Sequence, residues 1–285
     1  MSTSLDAVER TALLTAALRA AETRRADRLY EDPHAADLAG EIGPELLAEV
    51  RHATFPPGRE RTLPSTPDYN AIRTRFFDDY LQEAAEDPGT TQIVVAPAGM
   101  DSRAYRLDWP DRVRWFEVDR PAVLAYKDER FGTAEPRTDH RKVAVDLTSP
   151  DWEACLEAAG YDPTVPSTWL LEGLLYYLPE PDAHRVLARV AAISAPGSRV
   201  AADIVNSAAL TLPHMRGLLD VFSGWGCPWL FGTDEPEEFF DRYGFDVRAT
   251  QPGEAGADFG RWPDPVPPRS ERDVRRVFFV HGRRR

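Results

Sequence analysis

Cysteine is almost missing: Cys155 and Cys227 are the only two in 285 residues and lie far apart. That excludes a disulfide framework and a CxxC metal or redox site, and leaves two buried free thiols as the reading. Long apolar runs are also lacking. No stretch of about 18 uninterrupted apolar residues occurs, so no membrane-spanning helix is expected. Asp6, Glu9 and Arg10 stand where a secretory leader needs an apolar core, and the chain is expected to be cytoplasmic. Excess positive charge is absent too. A formal net charge of −13 argues against nucleic acid and membrane partners, because neutralising phosphate takes clustered Lys and Arg. The terminal Arg283-Arg284-Arg285 is too short to reverse that. One or two placed arginines can still hold a small anionic ligand.

What is present fits a folded α/β protein. Hydrophobic residues at 42% and charged residues at 28% lie in the globular range, and the length suits one large domain or two small ones. Leu5, Val8, Ala12, Leu13, Ala16 and Ala20 recur at helical spacing, predicting an amphipathic helix from Leu5 to Thr23. Further helices are expected at Pro44–His52 and Tyr69–Ala85, separated by a proline-rich loop, Phe55–Asp68. After Asp87-Pro88-Gly89, short apolar runs alternate with helical stretches. Strands are expected at 92–96, 113–118, 142–145, 168–171 and 199–205, with helices at 102–107, 121–131, 151–159 and 180–194. Two more strands fit 244–250 and 274–282. This alternation predicts a doubly wound, mostly parallel seven-stranded sheet of Rossmann-like type. Residues 1–86 would form a helical cap packed on the core, and 87–285 the α/β domain. An aromatic-rich insertion at about 208–238 reads as a lid after strand five.

In such a sheet, ligands sit beyond the carboxyl ends of the strands, near the point where strand order reverses. The first strand runs into Pro97-Ala98-Gly99, whose small residues would let a ligand approach the backbone, or simply make a plain strand-to-helix turn. Only one glycine is present, so the G-x-G-x-x-G dinucleotide fingerprint is absent. Asp119 lies 20 residues past Gly99, where this fold places a carboxylate for ribose hydroxyls. Glu117, on the same strand face, competes for that role, and a helix cap is the bland alternative for Asp119. Asp146 with Leu147 suits an adenine amino group and ring, or a plain turn. Glu172, after two leucines and before Gly173, suits either a dipole-stabilised place near a helix start or a cation such as an ammonium group. Arg75 has Asp79 four residues on, whereas Arg73 has Phe77 there. Arg73 is therefore the better candidate for a ligand carboxylate. The set describes a nucleoside carrying an amino-acid tail, S-adenosylmethionine.

The stretches "TALLTAALRAAETRRADRLYEDPHA", "RTRFFDDYL", "QIVVAPAGMDSRAYRL", "FEVDRPAVLAYK", "AVDLTSPDWEACLEAAGYDPTVPSTWLLEGLLYYLP" and "SAPGSRVAADI" together are similar to the bacterial leucine carboxyl methyltransferase-like family of class I S-adenosylmethionine-dependent O-methyltransferases. The resemblance runs from about Val8 to Val205 and thins beyond it. It implies that Arg73 binds the methionine carboxylate and that Pro97-Ala98-Gly99 passes under the methionine portion. Asp119 would hold the ribose, Asp146 and Leu147 the adenine, and Glu172 would sit near the methionine amino group. Arg10 or Thr11 would be the nearest second ligand from the first helix. Pro97 stands where many relatives have glycine, and it has no N–H to donate.

Methyl transfer from a sulfonium is an in-line displacement, so positioning and exclusion of water carry most of the catalysis. A carboxylate acceptor, with a pKa of about 4, is already ionised and needs no base. A phenol or alcohol needs one, and His214, in the aromatic insertion, is the candidate, although a lone His there is more often a wall or surface residue. Tyr176, Tyr177, Phe222, Trp225 and Trp229 would line the acceptor site or pack the core. With no His/Asp/Cys ligand cluster, no metal is expected. The expected reaction is O-methylation of a small organic acceptor, most readily a carboxylic acid, possible in secondary metabolism. Two rivals share the fold: a nicotinamide oxidoreductase, and a scaffold that keeps the cofactor only as structure.

Overall fold

The central strands are apolar at successive positions because both faces of the sheet are covered. A computed structural model describes residues 7–54 and 66–285. Its strands are β1 (Gln92–Val95), β2 (Arg114–Asp119), β3 (Asp139–Ala144), β4 (Thr168–Leu171), β5 (Arg199–Val205), β6 (Phe245–Thr250) and β7 (Val277–Arg284). They form one sheet in the order β3-β2-β1-β4-β5-β7-β6, with β7 antiparallel to both its neighbours. The strand order reverses between β1 and β4. Ile93 and Val95 of β1 face one apolar cluster and Val94 the other; Ala201 and its neighbours Val200 and Ala202 divide the same way on β5.

The first face packs against the N-terminal helices α1 (Ala7–Thr23), α2 (Ala35–Ala39), α3 (Ile42–Thr54) and α4 (Thr66–Glu86), and against α5 (Arg103–Arg106) and α6 (Pro121–Phe131). Leu13, Ile72 and Phe77 from the helices share one cluster with Ile93, Trp115 and Phe279 from the sheet. The second face takes α7 (Trp152–Ala158), α8 (Glu180–Ala192) and α10 (Pro236–Asp241). On α8 the buried residues Ala183, Val186, Leu187, Val190 and Ala191 keep the spacing of one helical face.

The remaining helix, α9 (Arg216–Gly224), lies in the segment between β5 and α10, after two short 3-10 turns. It crosses α3 closely. Gly217 sits where a Cβ would come within 2.6 Å of the Ala53 carbonyl oxygen, so only glycine permits that approach. Trp225 extends the same contact by donating its indole N–H to Glu49 at 3.2 Å. The aromatic insertion is thus anchored on the N-terminal helices.

Several expected boundaries move. Strand β3 starts at Asp139, three residues early, and β7 runs from Val277 to Arg284 rather than over 274–282. Thr66, Pro67 and Asp68, expected as loop, form the first turn of α4, where a missing proline N–H costs nothing. The rest of that loop, and Leu5, lie outside the described residues. The end of the expected insertion at 238 falls inside α10, which packs on β6. The two cysteines form no disulfide, and Cys155 is half-buried rather than buried. No helix among the described residues is long and apolar enough to cross a membrane.

Candidate functional site

The chain leaves β1 through Ala96, a cis peptide bond to Pro97, Ala98 and then Gly99 at φ +47°. Two bonds hold this turn between the neighbouring strands: Ala96 N–H donates to Leu170 and Ala98 N–H to Val118, each at 3.0 Å. Asp119, at the tip of β2, then accepts the Gly99 N–H at 2.6 Å through one oxygen and the Arg120 N–H at 2.7 Å through the other. Burial, partly offset by those two N–H groups, pushes the Asp119 carboxyl above its ordinary value. It does not cap α6, whose N-cap is Arg120. Glu117 is excluded from the tip: it is fully buried, with Lys127 Nζ at 2.7 Å and His140 Nε2 at 3.2 Å.

A cavity opens above this turn, over the tips of β1, β2 and β4. Arg73, Pro97, Ala98, Gly99, Asp119, Glu172, Tyr176 and Tyr177 all line it, as does Thr11 from α1. Arg10, the alternative to Thr11, does not line it. Asp146 and Leu147 are also outside the lining. They follow β3, beside Asp119, whose carbonyl accepts the Val145 N–H at 2.9 Å. Asp146 is exposed and accepts the Thr148 N–H and hydroxyl, closing a turn, while Leu147 is buried in the second core cluster.

The absence of an i+4 partner makes Arg73 look free in the sequence, and the structure corrects this. Its Nε is 2.9 Å from Glu172 and one terminal nitrogen is 2.8 Å from Asp203 on β5. Burial opposes its charge, but Glu172 and Asp203 hold the guanidinium well above the ordinary arginine value. The other Glu172 oxygen meets Arg103 at 2.9 Å, so both oxygens of this carboxylate are engaged by arginines. Arg103 also contacts Asp101, and reaches Asp78 at 2.7 Å. Asp78 meets Arg106 at 2.6 Å, and Asp32 joins Arg19 at 2.8 Å. Ser102 links the halves by donating to Asp32 at 2.6 Å.

Most of this chain of charges is invisible to local sequence reading. The one signal is the Arg103 and Arg106 pair, three apart, directly after a glycine turn. All four residues of α5 are buried, so this charged helix faces inward. Three carboxyls in these networks and beside them carry a pH signature. Burial works against ionisation of Asp32, Asp101 and Glu117, yet Arg19 and Arg106, Arg103, and Lys127 respectively hold them below their ordinary values. A carboxyl depressed in this way contributes stability in full above its unfolded pKa of about 4, and loses it as pH falls through the folded value. Thermal unfolding followed by circular dichroism should therefore give a Tm that is flat from neutrality to about pH 5 and drops below about pH 4. A Tm unchanged through that acid range contradicts the pairing.

The aromatic candidates form one cluster behind the cavity. Tyr176 and Tyr177 have ring centroids 4.6 Å apart, and Trp229 lies 5.0 Å from Tyr176. Phe222 bridges to Trp229 at 5.8 Å and to Trp225 at 5.4 Å. Only the two tyrosines line the cavity. Burial raises both phenols above their ordinary value. His214 is exposed on a 3-10 turn, away from the lining; partial burial and then Arg275 lower its pKa.

A sheet of this order with only β7 reversed, carrying a charged cavity at its switch point, is the architecture of the class I S-adenosylmethionine-dependent methyltransferases. The model of the family "Leucine carboxyl methyltransferase" matches residues 12–191. The chain belongs to the leucine carboxyl methyltransferase family. A protein of Mycobacteroides abscessus named "Putative S-adenosyl-L-methionine-dependent methyltransferase" is 42% identical over 205 residues, covering 69% of this chain and 64% of that protein. The match to this relative thus spans less than two thirds of its length. Two solved structures share the fold at low identity. A DUF574-family protein from Streptomyces avermitilis gives a TM-score of 0.59 at 14% identity, covering 92% of this chain and 97% of that one. A protein from Thermobifida fusca, titled a "putative methyltransferase", gives 0.56 at 19%, covering 91% and 94%.

Proposed function

We propose that this protein transfers the methyl group of S-adenosylmethionine to an oxygen of a small organic acceptor, and that this oxygen belongs to a carboxylate. The supporting observation is the convergence of Arg73, the Pro97–Gly99 turn, Asp119 and Glu172 on one cavity at the strand-order reversal. In this reading Arg73 offers its remaining guanidinium face to the methionine carboxylate, and Asp119 accepts from the ribose hydroxyls. Glu172 faces the ammonium group, while Asp146 and Leu147, at the next strand tip, bracket the adenine. The charge balance agrees: Asp32, Asp78, Asp101, Asp119, Glu172 and Asp203 outnumber Arg19, Arg73, Arg103 and Arg106. S-adenosylmethionine brings a sulfonium, an ammonium and one carboxylate, so its net positive charge offsets that excess.

The chain's own residues then orient and desolvate. The Gly99 backbone lets the cofactor lie against the turn, and Tyr176 and Tyr177 present apolar rings to the acceptor side. No histidine lines the cavity; of its lining acids, Asp101 and Glu172 are tied to arginines and Asp119 accepts two backbone N–H groups, and the tyrosines are held protonated. That supports an acceptor already ionised at neutral pH, for which no general base is needed. No metal ligand set enters the proposal. Incubation with S-adenosylmethionine and a panel of carboxylic acids, read by mass spectrometry, should yield S-adenosylhomocysteine and a methyl ester that alkali hydrolyses. An alkali-stable methyl ether identifies a hydroxyl acceptor instead. Under the carboxylate reading, His214→Ala should leave kcat within about twofold of wild type, because the imidazole takes no proton in the reaction. A loss of turnover by orders of magnitude points to a base-dependent hydroxyl acceptor.

A further inference from the structure

Arg275 stands apart from the other interior arginines. Arg19, Arg73, Arg103, Arg106 and Arg261 each pair with a carboxylate, and Arg276 donates to the carbonyls of Val274 and Pro268. Arg275 has none of these. Among the described residues its one hydrogen-bond partner is the Met215 thioether, a weak acceptor, at 3.9 Å. The residue is half-buried, and partial burial lowers its pKa, with Tyr69 the neighbour acting the other way. Removing a cation from water without a counter-charge is costly, and proteins ordinarily pair such groups.

Its position gives that cost a purpose. The Arg276 N–H donates to Asn206 at 2.8 Å and Val277 pairs with Val205, so Arg275 lies just past the carboxyl end of β5. That is the edge of the sheet on which the cofactor cavity opens, although Arg275, like His214, stands outside the residues that line it. Met215 and His214 flank it from the start of the aromatic insertion. Tyr69 connects it to the site: the phenol donates to Asp203 at 3.1 Å, and Asp203 holds Arg73, whose guanidinium lies over the Tyr69 ring. Tyr69 is thus a neighbour of both Arg73 and Arg275.

We infer that Arg275 is the anion-recognition residue of the acceptor site, and that it binds a carboxylate group of an organic acceptor. This rests on the methyltransferase reading and adds to it the charge of the second substrate. The guanidinium fork offers paired donors that match a carboxylate, which lysine and neutral residues do not reproduce.

The protein saturated with S-adenosylhomocysteine would be melted in increasing benzoate, phenylacetate or hexanoate, and in parallel with the matching amides and with sodium chloride or sulfate. At least one carboxylate should raise Tm saturably while its amide and the inorganic anions do not. In Arg275→Gln the half-saturating concentration should rise roughly tenfold or more, with Arg275→Lys falling between. S-adenosylhomocysteine affinity, measured separately by calorimetry, should be unchanged in both. An equal response from Arg275→Gln, from the amides or from the inorganic anions overturns the inference, as does a flat response across all the carboxylates. A wild-type protein that does not bind the cofactor at all defeats the methyltransferase reading instead.

Discussion

Arg73→Ala is expected to weaken S-adenosylmethionine binding by about 10- to 150-fold, because the loss of a charge-assisted hydrogen bond costs roughly 1.5–3 kcal/mol. Asp119→Ala should act in the same range through the ribose. Isothermal calorimetry on each folded variant measures this directly, and unchanged affinity in both removes the cofactor assignment. The arginine variant carries a second penalty. Glu172 and Asp203 lean on the same guanidinium, and both are sheltered from water. Stripping a buried pair of one partner typically costs about 3–5 kcal/mol, so the ligand-free protein should also melt earlier. Arg73→Lys separates the two effects, since an ammonium returns the charge without the planar fork.

Arg103→Ala should be the most destabilising single change. Its guanidinium is shared by Asp78, Asp101 and Glu172, and its side chain is buried. Asp78 keeps Arg106 and Glu172 keeps Arg73, but Asp101 loses its main counter-charge. The expected loss is about 3–5 kcal/mol, or a Tm fall on the order of 10 °C for a chain of this size. Urea or thermal unfolding checks it. A variant as stable as wild type means the ion chain is a dispensable ornament of the interior.

The contrast between Arg73 and Arg75 shows what the sequence could convey. The Arg75–Asp79 pair, legible as i and i+4, is present at 2.8 Å and lies at the surface. Arg73, with no partner at that spacing, finds Asp203 130 residues away on β5 and Glu172 just past the end of β4. Helical spacing sees only neighbours along one turn, whereas buried ion pairs are closed by topology. The same logic sorts the strands. Thr168–Leu171 and Arg199–Val205 are read with their true ends because sheet neighbours and covering helices demand apolar residues throughout. Strand β3 lies at the sheet edge, and its Asp139, His140 and Arg141 give no apolar signal. Helix α2, with five residues, is too short for any periodicity to register. The cavity-lining residues Pro97, Ala98, Gly99, Asp119 and Glu172 are legible in the sequence because the fold places them at strand tips. The Arg103 hub and Asp203 are not, since each looks like an ordinary polar residue beside an apolar run.

The close crossing of α3 and α9 at Gly217 and Ala53 bears on how this protein's acceptor side could be re-engineered. With a glycine lodged against a carbonyl and Trp225 tethered to Glu49, the aromatic wall and the leading helices form a single mechanical body. Under the proposed function, acceptor preference would then depend on two distant stretches of chain at once. Grafting the wall from one homologue to another would import half a mould, and chimeras should inherit a new preference only when both stretches travel together.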